Sequence, residues 1–156
     1  MLVFPLAALI ATLCCVLLHY EILRLLACSV PRLAIAPRQR MLCVVVGALG
    51  GHIAEILIFA AVLWLVTSGL AVDVSVKEAS SRLGQALYVS IESYPALGSA
   101  EAFDYGPLRL FSGIEALAGL LLVGWTSAFT YWSMTQFWKD HPPQSEALGG
   151  ETKLGE

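Results

Sequence analysis

Apolar residues in this chain fall into three long blocks, not into the short alternations of a soluble fold. The blocks run from Leu2 to Leu18, from Leu42 to Leu70 and from Leu108 to about Met134, and few charges interrupt them. A helix needs roughly 20 apolar residues to cross the hydrocarbon core of a bilayer. The pattern therefore predicts three transmembrane helices, with spans over about 2–26, 41–71 and 107–138. Between the second and third blocks the pattern changes. A mostly polar stretch, Val72 to Ala86, leads into "LYVSIESY", apolar at Leu87, Val89 and Ile91 and aromatic at Tyr88 and Tyr94, which predicts a short helix from about Leu83 to Tyr94. Pro95 ends it, because proline disfavours helical geometry in the residue before it and donates no backbone hydrogen bond. Small residues follow in "ALGSAEAF", then the turn "DYGP" with Pro107 at the favoured first position of a new helix. Span, short helix, small-residue loop and span make a re-entrant loop over 83–106. Non-helical backbone at membrane depth is tolerated where protein buries it or where it lines a water-filled cavity.

Composition sharpens this into one class. The 156 residues are 58% apolar and 13% charged, with a mean hydropathy of +0.75, far from the balance of a soluble domain. The expected fold is an all-α membrane protein with a single membrane domain over 1–140. The tail "HPPQSEALGGETKLGE" over 141–156 is rich in Pro, Gly and charge and is expected to be disordered, since it cannot bury enough surface to order itself. The first block reads as a retained helix and not as a signal peptide. No Lys or Arg precedes it, and Glu21 and Arg24 interrupt it just before the "LLAC" of Leu25 to Cys28, the reverse of a signal's charge order.

Charge distribution gives an expected orientation. Arg24, Arg32, Arg38 and Arg40 lie between the first two spans, whereas Asp73 to Asp104 carries Lys77 and Arg82 against Asp73, Glu78, Glu92, Glu101 and Asp104. By the positive-inside rule the arginine loop and the tail from Lys139 face the cytoplasm, and the amino terminus and the Asp73–Pro107 segment face outward. Trp64 then falls near the outer interface and Tyr131, Trp132 and Trp138 near the inner one.

The string "ESYPALGSAE" resembles the potassium-channel pore signature, commonly "ETATTVGYGD". Glu92 and Ser93 fall at the pore-helix end, Ala96, Leu97, Gly98, Ser99 and Ala100 fall on T-V-G-Y-G, and Glu101 takes the place of the final Asp; Glu92, Gly98 and the acidic end agree with the signature. Further on, "GPLRLFSGIEALAGLLLVGWTSAF" resembles the inner helix of small bacterial proteins in the two-pore-domain-like ion channel family. "HIAEILIFA" in the second span and the additional amino-terminal span resemble the same group, so the resemblance covers about Leu2 to Trp138. It implies a homotetramer in the bacterial inner (plasma) membrane, each chain contributing one pore loop to a central pathway for monovalent cations. It also implies a filter at Ala96 to Glu101, a pore-helix brace at Glu92, Tyr94 and Pro95 with Glu92 buried behind the filter, and an inner-helix hinge at Gly119.

The filter letters depart from the signature in ways that bear on selectivity. Potassium filters replace the ion's hydration shell with rings of backbone carbonyls, and the lowest site also uses a threonine hydroxyl. Ala96 has no hydroxyl. Ala100 carries a Cβ where the signature has a glycine, which disfavours positive φ. Ser99 cannot reach as far behind the filter as a tyrosine does. The expectation is a cation pathway with weak or altered selectivity, in which four copies of Glu101 would form an acidic ring that concentrates cations.

Several ionisable residues lie inside the predicted spans, and three of them stand out. His52 and Glu55, at i and i+3, share a helix face, and Glu115 stands about two turns into the third span. Such residues are costly in a membrane and usually face protein or water. They fit three uses: hydrogen bonds between helices that brace the pore loop, proton or pH sensing, or a divalent-metal pair that needs a third ligand, for which Glu115 is the acidic candidate in the last span. Gly113, Gly119 and Gly124 are spaced for close helix approach. Cys14, Cys15, Cys28 and Cys43 have neither the spacing nor the compartment of disulfides or zinc ligands and read as small packing residues. No cofactor, resident metal or nucleic-acid partner is expected, and no recognisable nucleophile supports an enzyme. The function classes are therefore a cation channel of altered selectivity, a non-conducting channel-derived assembly or regulatory subunit, and, as the remote alternative, an intramembrane metal-binding protein.

Overall fold

The computed structural model describes residues 2–70, 81–96 and 106–138, and every regular element among them is helical. Helix α1 spans Val3–Ser29, a single 3-10 turn covers Val30–Arg32, and α2 spans Pro37–Gly69. Helix α3 spans Arg82–Ser93 and α4 spans Gly106–Trp138. Helices α1, α2 and α4 are long and apolar enough to cross a membrane, with mean hydropathies of 2.1, 2.1 and 1.5 over their most apolar windows. The tail from Lys139 onward lies outside the described residues.

Local chemistry sets the boundaries more than the apolar runs do. Helix α1 continues to Ser29, past the charges at Glu21 and Arg24, which meet as an exposed i,i+3 pair at 3.1 Å. Pro31 has no N–H to extend the ladder, and Leu33 then turns extended. Helix α2 begins at Pro37, ahead of the apolar run, because proline is pre-organised for the first helical position. Gln39 Oε1 accepts the N–H of Ala36 at 3.2 Å, and Arg40 Nη2 donates to the Leu33 carbonyl at 3.0 Å. Helix α3 starts at an N-cap, Ser81, whose hydroxyl accepts the Gly84 N–H at 3.1 Å. It ends at Ser93, with Tyr94 as its C-cap. Ala96 closes the turn with its N–H on the Ser93 carbonyl at 2.9 Å and a φ of 59°, a left-handed conformation that costs a residue with a Cβ about 1–2 kcal/mol.

Helix α1 packs against both α2 and α4, and α3 lies against α2 and α4. The inward faces are small and polar where the outward ones are leucine-rich. On α1 the buried positions are Phe4, Ala8, Ala11, Cys15, His19 and Leu23, while Leu9, Leu13 and Leu17 point outward. On α2 the buried stripe includes Ala48, Gly51, Glu55, Phe59 and Leu63, with Leu49, Ile53 and Leu57 outside. Burial of small residues inside and exposure of bulky apolar ones outside is the packing logic of helices in lipid, where tails solvate leucine as well as another helix does. Gly51 shows how close α1 and α2 come: a Cβ there would lie 3.2 Å from Ile22 Cδ1. Phe59 of α2 meets Phe111 of α4 edge-on, with ring centroids 6.1 Å apart.

Candidate functional site

The inward stripes bring ionisable side chains together near the middle of the bundle. His19 arrives from α1, His52 and Glu55 from one face of α2, Tyr94 from the end of α3, and Thr126 from α4. Glu55 is fully buried and is the hub. Its Oε1 pairs with His19 Nδ1 at 2.8 Å and its Oε2 with His52 Nδ1 at 3.1 Å, while the Tyr94 hydroxyl donates to Oε2. His52 Nδ1 also lies 2.9 Å from the Tyr94 oxygen. On the far side of both rings, Thr126 Oγ1 stands 3.2 Å from His19 Nε2 and 3.0 Å from His52 Nε2. Cys15 lies beside the cluster, its Sγ 3.8 Å from the Glu55 carbonyl. His19 is 1% exposed, Tyr94 3% and the His52 side chain 14%. A buried carboxylate needs compensation for lost hydration, and here the Tyr94 hydroxyl and the imidazoles of His19 and His52, from three different helices, stand within hydrogen-bond reach of it.

His52 keeps its partial exposure because a cleft of about 490 Å³ between α2 and α4 runs from Val45 and Met134 to His52 and Thr126. The remainder of the cluster is sealed by the phenyl ring of Phe59 and the indole of Trp125, which pack against Tyr94 and His19 respectively.

The end of α3 is seated by backbone contact. A Cβ on Gly119 of α4 would fall 2.0 Å from the Tyr94 carbonyl oxygen and 3.0 Å from its carbon, so the carbonyl rests in the space that glycine leaves. Helix α4 runs unbroken through Gly119. At Gly113 and Gly124, by contrast, an added Cβ meets nothing within 4 Å.

The expected site residues are distributed as follows. His52 and Glu55 do share a site, but the third member is His19 of α1 and not Glu115. Glu115 is fully buried elsewhere on α4, with Ser90 of α3 against it. Neither carboxyl oxygen makes a well-formed hydrogen bond among the described residues, and the buried hydroxyls of Ser90, Ser93 and Ser112 share that condition. Tyr94 is buried and braces the end of α3. Glu92 is only half-buried within the chain, because the inward stripe of α3 is Ala86, Val89, Ser90 and Ser93 and Glu92 lies off it. Pro95 and Ala96 are exposed, and Leu97, Gly98, Ser99, Ala100 and Glu101 lie outside the described residues. Cys15 is buried and Cys14, Cys28 and Cys43 are exposed, all as free thiols.

His19 and Thr126 are the members that sequence reasoning missed. The signal for His19 was an ionisable residue in "LLHYEIL", inside the predicted span over 2–26 but just past the apolar block that ends at Leu18. Thr126 carries no comparable signal, since threonine is common on helices that pack in membranes. No protein-family model matches the chain, and neither a curated protein nor a solved structure matches it.

Proposed function

We propose that this chain is one subunit of a homotetrameric, channel-like protein embedded in a bilayer, which passes monovalent cations with weak or altered selectivity. The observation that carries this reading is the seat of α3. With 12 residues it is about 18 Å long, too short to cross, yet its last residues reach Glu55 near the middle of α2 and Gly119 in the first half of α4. A segment that enters to that depth between two spanning helices and then rejoins the second one has the course of a re-entrant pore helix. Its C-terminal end carries the partial negative charge of the helix dipole, which favours a cation beyond it.

One such segment per chain supplies one part of a ring, and closed symmetry supplies the rest. Helix α4 offers a face for that assembly. Gly113, Leu117 and Gly124 share an uncovered side, with open space beyond both glycines, and small residues let helices approach closely. The outward leucines of α1 would meet lipid. Weak selectivity follows from the filter letters, in which Ala96 lacks the hydroxyl of the signature, and Ser99 and Ala100 replace its tyrosine and glycine. The orientation we assign places this loop on the outer side and the arginine loop inside.

The assembly is tested by measuring the mass of the purified chain in detergent, with the bound detergent subtracted. Four chains are expected. A monomer or dimer under conditions where the helices remain folded would contradict the reading, because a single pore loop cannot enclose a pathway.

A further inference from the structure

We propose that His19, His52 and Glu55 form a binding site for a divalent transition-metal ion of the zinc type, within the helix bundle and independent of whether ions pass through the assembly. Two imidazole nitrogens and a carboxylate oxygen lie within 4.8 Å of one another. The set of two histidines and one carboxylate, open to a fourth ligand, suits zinc and its neighbours. The Tyr94 oxygen, 2.9 Å from His52 Nδ1 and hydrogen-bonded to Glu55, is in place as that fourth ligand. Binding as the phenolate, with its proton released to solvent, would leave the site without net charge. The cleft that ends at His52 and Thr126 gives an ion a way in.

Counting donors and acceptors makes the case more specific. Suppose both rings are neutral and donate Nδ1–H to Glu55. Each Nε2 is then an acceptor, and both face the single hydroxyl of Thr126, which has one hydrogen to give. One buried acceptor is left without a donor, against the usual rule that such atoms are paired. Suppose instead that both Nδ1 atoms ligate a metal. Each Nε2 then carries the hydrogen, and the two lone pairs of Thr126 Oγ1 accept both, at the 3.2 and 3.0 Å observed. Metal-bound histidines are habitually held by such an acceptor on the other ring nitrogen, which fixes tautomer and ring plane. Thr126 is in that position for two rings at once. An additional proton on one histidine would also balance the count, as would the neutral His52 tautomer that donates Nε2–H to Thr126 and turns Nδ1 to the Tyr94 hydroxyl, so the experiment must separate metal from both.

The full-length chain, with any affinity tag removed, is purified in detergent, analysed for bound metal, and titrated with Zn²⁺ and with Co²⁺, whose visible spectrum reports a tetrahedral site. The expected result is one ion per chain, a tetrahedral Co²⁺ spectrum and a higher melting temperature with the ion bound. His19→Ala and His52→Ala should abolish uptake. Thr126→Val, which keeps every ligand, should weaken binding ten- to hundredfold. Glu115→Gln, outside the ligand set, should bind as the unmodified chain does. Should the histidine variants fail to fold, Thr126→Val and the Co²⁺ spectrum still decide. Folded protein that takes up neither ion would overturn the proposal. Uptake that survives His19→Ala, or that is indifferent to Thr126→Val, would overturn it as well, because the ion would then sit elsewhere.

Discussion

Gly119→Ala is expected to unseat α3 and to lower the stability of the chain by about 3 kcal/mol or more, the sum of overpacking at a tight backbone contact and the loss of a buried hydrogen bond to a charged group. The added methyl would overlap the Tyr94 carbonyl oxygen at 2.0 Å, and a backbone carbonyl at the end of a packed helix has no rotamer by which to retreat. Either α3 slides or α4 moves away, and in both cases the Tyr94 hydroxyl leaves Glu55. The same substitution at Gly50 of α2, away from the proposed subunit face of α4, supplies the control, since nothing lies within 4 Å of that site and alanine is the better helix former. Thermal unfolding in detergent should show a marked fall for Gly119→Ala and no fall for Gly50→Ala. Equal behaviour of the two variants would mean that the end of α3 does not rest on α4.

The second large effect is expected at Glu55. Glu55→Ala removes the common partner of His19, His52 and Tyr94, a loss of the order of 3–5 kcal/mol for one member of a buried charged pair. Glu55→Gln should fall between, since its amide oxygen can still accept while its NH₂ meets donors it cannot satisfy. Glu55→Leu tests the packing alone. If it unfolds at the same temperature as the unmodified chain, the carboxylate does not hold the helices together, and the distances around it reflect proximity only. Double substitutions with Tyr94→Phe would then show how much of the effect is shared between α2 and α3, as coupled neighbours are non-additive.

The chain's organisation was largely legible in its sequence, and the site only in part, for one physical reason. Length and apolarity announce a helix that can cross a bilayer, so three long helices could be read directly, and Pro95 marks the end of the short one. They do not announce which face turns inward. In a soluble helix the buried side is the apolar side, but here leucines cover the outward faces while alanine, glycine, cysteine and histidine lie inside. The periodicity that would have placed His19 on the stripe of Phe4, Ala8, Ala11 and Cys15 is therefore faint. His52 and Glu55 could be paired because i and i+3 on one helix are neighbours in any fold. Their partners come from α1, α3 and α4, and only packing brings these together. Glu115 was the acidic candidate for a third ligand, yet it faces Ser90 on a different part of α4. Gly119 was recognisable as a place for close approach, although the backbone that approaches it could not be named from spacing.

The most direct test of the proposed function is the reversal potential of the protein in planar bilayers under opposed potassium and sodium gradients. Ala96 lacks the side-chain oxygen of a potassium filter, and the loop that follows lacks the second glycine. The account therefore predicts cation current with a reversal potential close to that of a pore indifferent to the two ions. Strong preference for potassium, or the absence of any current from protein that is demonstrably tetrameric, would contradict it.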